Sequence, residues 1–170
     1  MRELVLGGTK SGKSLYAESQ AQASGGEVVY VATARANDAE MAERIAAHRA
    51  RRPSHWHTVE AGDDLAGVLL GAAADDRCVL VDCLTLWLTA LIERPRHWAQ
   101  AREDLLTALP GLPGRIVLVS NEVGEGVVPL GELTRRFVDE AGRLHQAIAA
   151  RCERVTLVTA GLPLTLKETT

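Results

Sequence analysis

Residues 7–14 read Gly-Gly-Thr-Lys-Ser-Gly-Lys-Ser, between the apolar run Leu4 to Leu6 and a stretch of helix-forming composition from Lys13 to Ala23. This is the pattern G-x-x-x-x-G-K-S. Glycines let such a loop wrap closely, so that its backbone N–H groups face phosphate oxygens. The helix that starts near Lys13 adds its positive N-terminal end. Lys13 then reaches the outer phosphates, and the Ser14 hydroxyl binds magnesium. A glycine turn that merely joins strand to helix is the competing reading. The complete motif in a strand–loop–helix context outweighs it.

The rest of the chain fits the parallel sheet that such a loop requires. Val28–Ala32, Cys78–Val81, Ile116–Val119 and Val155–Val158 are apolar runs without alternation, as expected for strands buried on both faces. Thr58–Val59 and Leu164–Leu166 are shorter candidates. Helical patterns separate them at 38–51, 63–74, 84–92, 95–109 and 131–151. Asp38 is the expected cap of the first and Pro53 its stop. The expectation is an α/β fold: a single P-loop domain over residues 1–170, with a mainly parallel central sheet and helices on both faces. Residues 124–131, with Gly and Pro, read as a loop.

Asp82 closes the strand that begins at Cys78. A carboxylate at the end of a buried strand can hold Mg²⁺ directly or through water, and beside a phosphate loop this outweighs a simple helix cap. Asn121-Glu122-Val123-Gly124 follows the strand ending at Val119. Polar groups at a parallel sheet's carboxyl edge line the ligand crevice. Turn geometry explains them about equally well. The run from Arg44 to Arg52 ends a predicted helix with His48 and three arginines. Arginine forks suit phosphate, and imidazole can attack phosphorus. On composition alone, an exposed basic helix end that complements the helix dipole is the better reading. His55 and His57 flank Trp56 without a carboxylate or cysteine cluster, and His97 and His145 are expected on helix surfaces.

Composition removes other classes. The formal net charge is -3 with aromatics at 4%, so neither a basic face nor a base-stacking surface is indicated, and nucleic acid is not an expected partner. The three cysteines, Cys78, Cys83 and Cys152, form no Cys-x-x-Cys pair. Reduced thiols fit a cytoplasmic setting. The longest apolar run, near Cys78 to Ile92, is too short to span a bilayer and is interrupted by Asp82.

Taken together these blocks resemble one family, the bifunctional adenosylcobinamide kinase / adenosylcobinamide-phosphate guanylyltransferases. The resemblance runs over essentially the whole chain. It rests on the 7–14 loop, Tyr30-Val31-Ala32-Thr33-Ala34, Arg44-Ile45 with His48 and Arg52, and Trp56 with Thr58 and Glu60. It continues through Val81-Asp82-Cys83-Leu84-Thr85, Ser120 to Gly124, Val127-Val128-Pro129, Arg136-Phe137, and Asp139 with Gly142-Arg143-Leu144 and Gln146. The spacing Arg-Ile-x-x-His together with Asn-Glu-Val-Gly is far more specific than the loop.

The resemblance implies a RecA-like arrangement and two reactions. One phosphorylates the aminopropanol hydroxyl of adenosylcobinamide with ATP or GTP. The other transfers GMP from GTP to that phosphate through a GMP-histidine intermediate, giving adenosyl-GDP-cobinamide and pyrophosphate. The matching histidine is His48. Some relatives carry a second histidine before it, where this chain has Ala47. Lys13 is the second catalytic residue. The implied nucleotide contacts are Gly7, Gly8, Thr9, Lys10, Ser11, Gly12, Lys13 and Ser14 in the loop, with Thr33, Arg49, Ala50, Arg51, Arg52, Glu60 and Asp82. Ser14 and Asp82 are the implied Mg²⁺ ligands. The partners are a corrinoid and GTP or ATP, and the resemblance also implies a homotrimer. A kinase-only relative and a nucleotide-dependent switch are the competing functions.

Overall fold

In a computed structural model, residues 1–34 and 39–169 are described, with the side chains of Glu40, Met41, Arg44 and Arg51 set aside. The expected cap Asp38 lies outside the described residues. In chain order the elements are β1 (Arg2–Gly7), α1 (Lys13–Gln22), β2 (Glu27–Ala32), α2 (Ala39–Arg51), β3 (His57–Glu60), α3 (Leu65–Ala72) and β4 (Arg77–Asp82). There follow α4 (Leu84–Leu91), α5 (Pro95–Ala108), β5 (Arg115–Asn121), α6 (Glu132–Arg151), β6 (Arg154–Thr159) and β7 (Leu162–Glu168). The strands form one seven-stranded sheet in the order β3-β2-β4-β5-β1-β6-β7. All pairs are parallel except β6–β7, which is a hairpin with an irregularity at Val155/Thr156.

The unbroken apolar runs have the expected consequence. On β5, Ile116 and Leu118 face one side and Val117 and Val119 the other, and all four are buried. The first side carries α3, α4, α5 and α6. There Leu65, Leu69 and Ala72 of α3, and Ala141, Leu144 and Ile148 of α6, sit at helical spacing against the sheet. Burying each such leucine or isoleucine contributes about 1.5–3 kcal/mol. Trp87 and Trp98 meet edge to face at 5.2 Å between α4 and α5. Each indole N–H has a partner, Asp63 O at 3.0 Å and Glu140 Oε2 at 2.7 Å respectively, which offsets the cost of burying it. The second side is covered by α1, through Ala17 and Ala21, and by Trp56.

Three departures from expectation matter. Strand β1 starts before Leu4 and includes Glu3, which is wholly buried. Its carboxylate is satisfied by Arg115 Nη2 at 3.0 Å, Thr156 Oγ1 at 3.1 Å and Tyr16 Oη at 3.2 Å, so paired donors offset its desolvation. Strand β5 runs two residues past Val119, because Ser120 and Asn121 keep their register against Leu6 and Gly7. His145 is buried rather than on a helix surface. It faces the sheet and shares a 2.7 Å hydrogen bond with Ser120 Oγ. His97 is exposed, as expected.

Candidate functional site

Because β5 lies between β1 and β4, the carboxyl edge of the sheet brings three chain segments side by side. In register, Gly7 of β1 stands opposite Asn121 of β5, and Val119 of β5 stands opposite Asp82 of β4. The 7–14 loop leaves β1 at this edge and turns into α1. Its turns are closed by Ser11 N–H to Gly8 O at 3.2 Å and Tyr16 N–H to Gly12 O at 2.9 Å. Two outside contacts pin it. Gly161 N–H donates to Ser11 O at 2.8 Å, and Glu122 N–H donates to Gly7 O at 3.0 Å.

The glycines at the ends of this loop are required by space and by backbone shape. A Cβ on Gly7 would stand 2.4 Å from Ser11 Oγ and 2.5 Å from Val158 O. Gly12 has φ of 97°, in the left-handed region that favours glycine. Gly8, by contrast, has open space around it. Thr9 and Lys10 are exposed, and Lys10 itself adopts φ of 56°. Inside the loop, Ser11 Oγ is buried without a hydrogen-bond partner.

Lys13 is only 8% exposed, and its Nζ reaches back across the loop to Gly8 O at 3.1 Å. Burial lowers its pKa, with the Cys83 and Asp82 side chains acting the other way. An ammonium held in a poorly solvated place is a ready partner for an anion. The orphaned hydroxyl, the buried ammonium and the backbone cradle all suit bound phosphate.

Asp82 ends β4 with a side chain 11% exposed. Its Oδ2 accepts a hydrogen bond from Tyr30 Oη at 3.1 Å and lies 3.9 Å from His48 Nδ1. Among the described residues, no group of three or more His, Cys, Asp or Glu side chains gathers into a metal site. One carboxylate and one hydroxyl, Asp82 and Ser14, are what Mg²⁺ takes from a protein when phosphate oxygens and water complete its shell. The residues present therefore fit that metal.

His48 stands on α2 with its side chain about one-third exposed, its Nδ1 turned to Asp82 and its Nε2 on the far side of the ring. Arg49 and Ala50 are exposed, and the side chain of Arg51 is outside the described set. Arg52, just after the helix, lays its guanidinium on the Tyr30 ring, with Cζ 3.3 Å from the centroid. Its Nε and Nη1 are buried without partners.

Two expected residues are placed differently. The Thr33 hydroxyl is committed to the backbone of Cys83, donating to its O and accepting from its N–H, each at 2.7 Å. It joins the ends of β2 and β4. Glu60 is exposed at the end of β3, level with Ala32 of β2, which in turn pairs with Asp82. Two strand spacings put it roughly 10 Å from Asp82 along the sheet edge.

Sequence reading missed Tyr30 and Thr85 as site residues. Thr85 Oγ1 receives Asn121 Nδ2–H at 3.2 Å and Asn121 N–H at 3.4 Å, tying the start of α4 to the tip of β5. The available signal for Tyr30 was a lone phenol inside an apolar strand, which needs a polar partner when buried.

Residues 3–166 match the model of the family described as cobinamide kinase / cobinamide phosphate guanyltransferase. The chain is 62% identical over 169 residues to the Pseudomonas aeruginosa bifunctional adenosylcobalamin biosynthesis protein CobP, covering 98% of each chain. It is 39% identical to the Escherichia coli protein CobU of the same description, over 98% of this chain and 100% of that one. Among solved structures, Pyrococcus horikoshii OT3 PH0250 superposes with a TM-score of 0.59 at 10% identity, covering 99% of this chain and 87% of that chain. That likeness concerns the fold alone. By the near-complete family match and the full-length relatives, this chain belongs to the cobinamide kinase / cobinamide phosphate guanyltransferase family.

Proposed function

We propose that the family's two activities divide between two parts of one site: the 7–14 loop runs the kinase step, and His48 carries GMP in the guanylyl transfer. The chain is a cobinamide kinase and cobinamide phosphate guanylyltransferase by family. The observation that carries the division is the 3.9 Å approach of His48 Nδ1 to Asp82 Oδ2. It brings an imidazole, on a helix whose neighbouring residues Ala46, Ala47, Arg49 and Ala50 are exposed, to the carboxylate beside the phosphate loop.

In the kinase step, the loop N–H groups and Lys13 bind the terminal phosphates of ATP or GTP; the acceptor hydroxyl attacks the γ-phosphorus, the bond from that phosphorus to the β–γ bridging oxygen breaks, ADP or GDP leaves, and the hydroxyl proton passes to solvent. Ser14 and Asp82 would hold Mg²⁺, which when bound would supply charge neutralisation on the phosphates. In the transfer step, His48 attacks the α-phosphorus of GTP through Nε2. The bond from that phosphorus to the bridging oxygen breaks, and pyrophosphate leaves. The phosphate oxygen of cobinamide phosphate then attacks the same phosphorus, and the imidazole leaves. Turning Nδ1 to a carboxylate favours the tautomer that presents Nε2 as nucleophile. Arg49, Arg51 and Arg52 suit the phosphate charge, Glu60 and Thr33 belong to the same nucleotide set, and a homotrimer completes the reading.

GTP labelled at the α-phosphate tests it. The protein should retain acid-labile, base-stable label with release of pyrophosphate, and His48→Ala should take up none. Label on His48→Ala would move the nucleophile elsewhere. Product mass separates the rivals: a kinase-only relative stops at cobinamide phosphate, and a switch leaves cobinamide unmodified.

A further inference from the structure

Tyr30 lies within β2, between β3 and β4 in the sheet, and is 2% exposed. A phenol so placed is costly unless its hydroxyl is paired. Its pairing reaches out of its own strand: Oη donates to Asp82 Oδ2 at 3.1 Å, across to β4. The ring is fixed as well. Arg52 covers one face at 3.3 Å, and Val28, Leu80 and Trp56 belong to the same packed cluster. A side chain with both its oxygen and its ring face engaged has little freedom to swing.

The acceptor it has chosen is informative. Oδ2 of Asp82 is also the oxygen that His48 Nδ1 approaches at 3.9 Å. One carboxylate oxygen thus faces the phenol and the imidazole, and Oδ1 is left as the oxygen to offer a cation. We infer that Tyr30 is a positioning residue of this site, whose phenol fixes the Asp82 carboxylate so that Oδ1 is presented to the metal of a bound metal–nucleotide complex. The inference rests on the reading of Asp82 as a metal-binding carboxylate. In this role Tyr30 acts through Asp82, to which its hydroxyl is bonded. Groups that orient a metal-binding side chain in this way typically change metal affinity about 10–100-fold when removed.

The test is direct metal binding, measured without turnover. Protein saturated with a non-hydrolysable GTP analogue is titrated with Mn²⁺, and bound Mn²⁺ is read by electron paramagnetic resonance. Affinity for the metal-free analogue is measured separately. Tyr30→Phe removes one oxygen and keeps the ring beneath Arg52. It should bind Mn²⁺ roughly 10-fold more weakly, bind the metal-free analogue as the parent does, and retain the parent's thermal midpoint within a few degrees. A merely structural tyrosine would show the reverse, a lowered midpoint with unchanged Mn²⁺ affinity, and that result overturns the inference. Asp82→Asn is the control for the underlying reading. If it weakens Mn²⁺ binding and Tyr30→Phe does not, only the role of Tyr30 falls. If Asp82→Asn leaves Mn²⁺ binding unchanged, the metal role of Asp82 fails, and the inference fails with it.

Discussion

The 7–14 loop and helix α2 come to the same edge of the sheet and are built in opposite ways. The loop is made mostly of backbone. It leaves a buried strand, returns into a helix, and is pinned by backbone bonds from Gly161 and Glu122. Helix α2 offers side chains. Its described residues Ala46, Ala47, Arg49 and Ala50 are exposed, and its links to the site are His48 beside Asp82 and, just beyond its end, Arg52 on Tyr30. Backbone cradles bind any phosphate of the right shape, and many families share them. A histidine on a solvated helix confers a second reaction only through what it approaches. On the proposed division, the kinase half would be the general part of this molecule and the transferase half the specific part.

If that division holds, damage to the two halves separates. Lys13→Ala removes the buried ammonium that bridges the loop, and should lower the kinase rate most, by roughly 10²–10³-fold, the range seen when one preorganised electrostatic contact is removed. Phosphorylation of cobinamide, followed by product mass, measures it. A parent-like rate from a folded Lys13→Ala protein would remove Lys13 from the mechanism. His48→Ala should abolish guanylyl transfer to ready-made cobinamide phosphate while phosphorylation stays within a few-fold of the parent. Loss of both activities in a folded protein would break the division.

The same contrast explains what the sequence could disclose. The loop was legible because its spacing encodes a backbone path, and the sheet because uninterrupted Val, Ile and Leu runs mean strands buried on both faces. Strand ends were less legible where polar residues continue the ladder: Ser120 and Asn121 extend β5, and Glu3 sits inside β1. Their partners, His145, Thr85 and Arg115, lie 25 or more residues away, and no local pattern announces them. His48 is the clearest case. Among arginines at a helix end it reads as ordinary surface, and only the family resemblance singled it out. The tie between the Thr33 hydroxyl and the Cys83 backbone likewise spans 50 residues and has no local signature.

A smaller effect probes whether the loop's geometry or its sequence pattern matters. Gly7→Ala forces a methyl against Val158 O and Ser11 Oγ, where the backbone carbonyl has little room to yield. Overpacking of this kind costs about 1–3 kcal/mol. Gly8→Ala meets nothing within 4 Å and should change stability by less than about 0.5 kcal/mol. Urea midpoints of the two variants measure the difference. Equal midpoints would mean that the loop is more deformable than its packing implies.

The smallest effect concerns pH, and it belongs to the sheet-built half. His145 is buried between α6 and β5, sharing its Nε2 with Ser120 and holding Nδ1 3.8 Å from Glu122 Oε2. Burial lowers its pKa, and Glu122 offsets this only in part. The unfolded chain has the ordinary histidine pKa of about 6.5. Below that value the unfolded state binds a proton that the folded state resists, so the folded state loses stability as pH falls from about 6.5 toward the lowered folded value. One such proton contributes at most about 1.4 kcal/mol per pH unit. His145→Gln cannot titrate and should lack this share of the acid slope. Carboxylates titrate in both proteins, so comparing them isolates the histidine. Urea unfolding of parent and variant at pH 7, 6 and 5 should show the parent losing more stability than the variant over this interval. Parallel slopes would mean that His145 accepts a proton in place, with Glu122 compensating the charge.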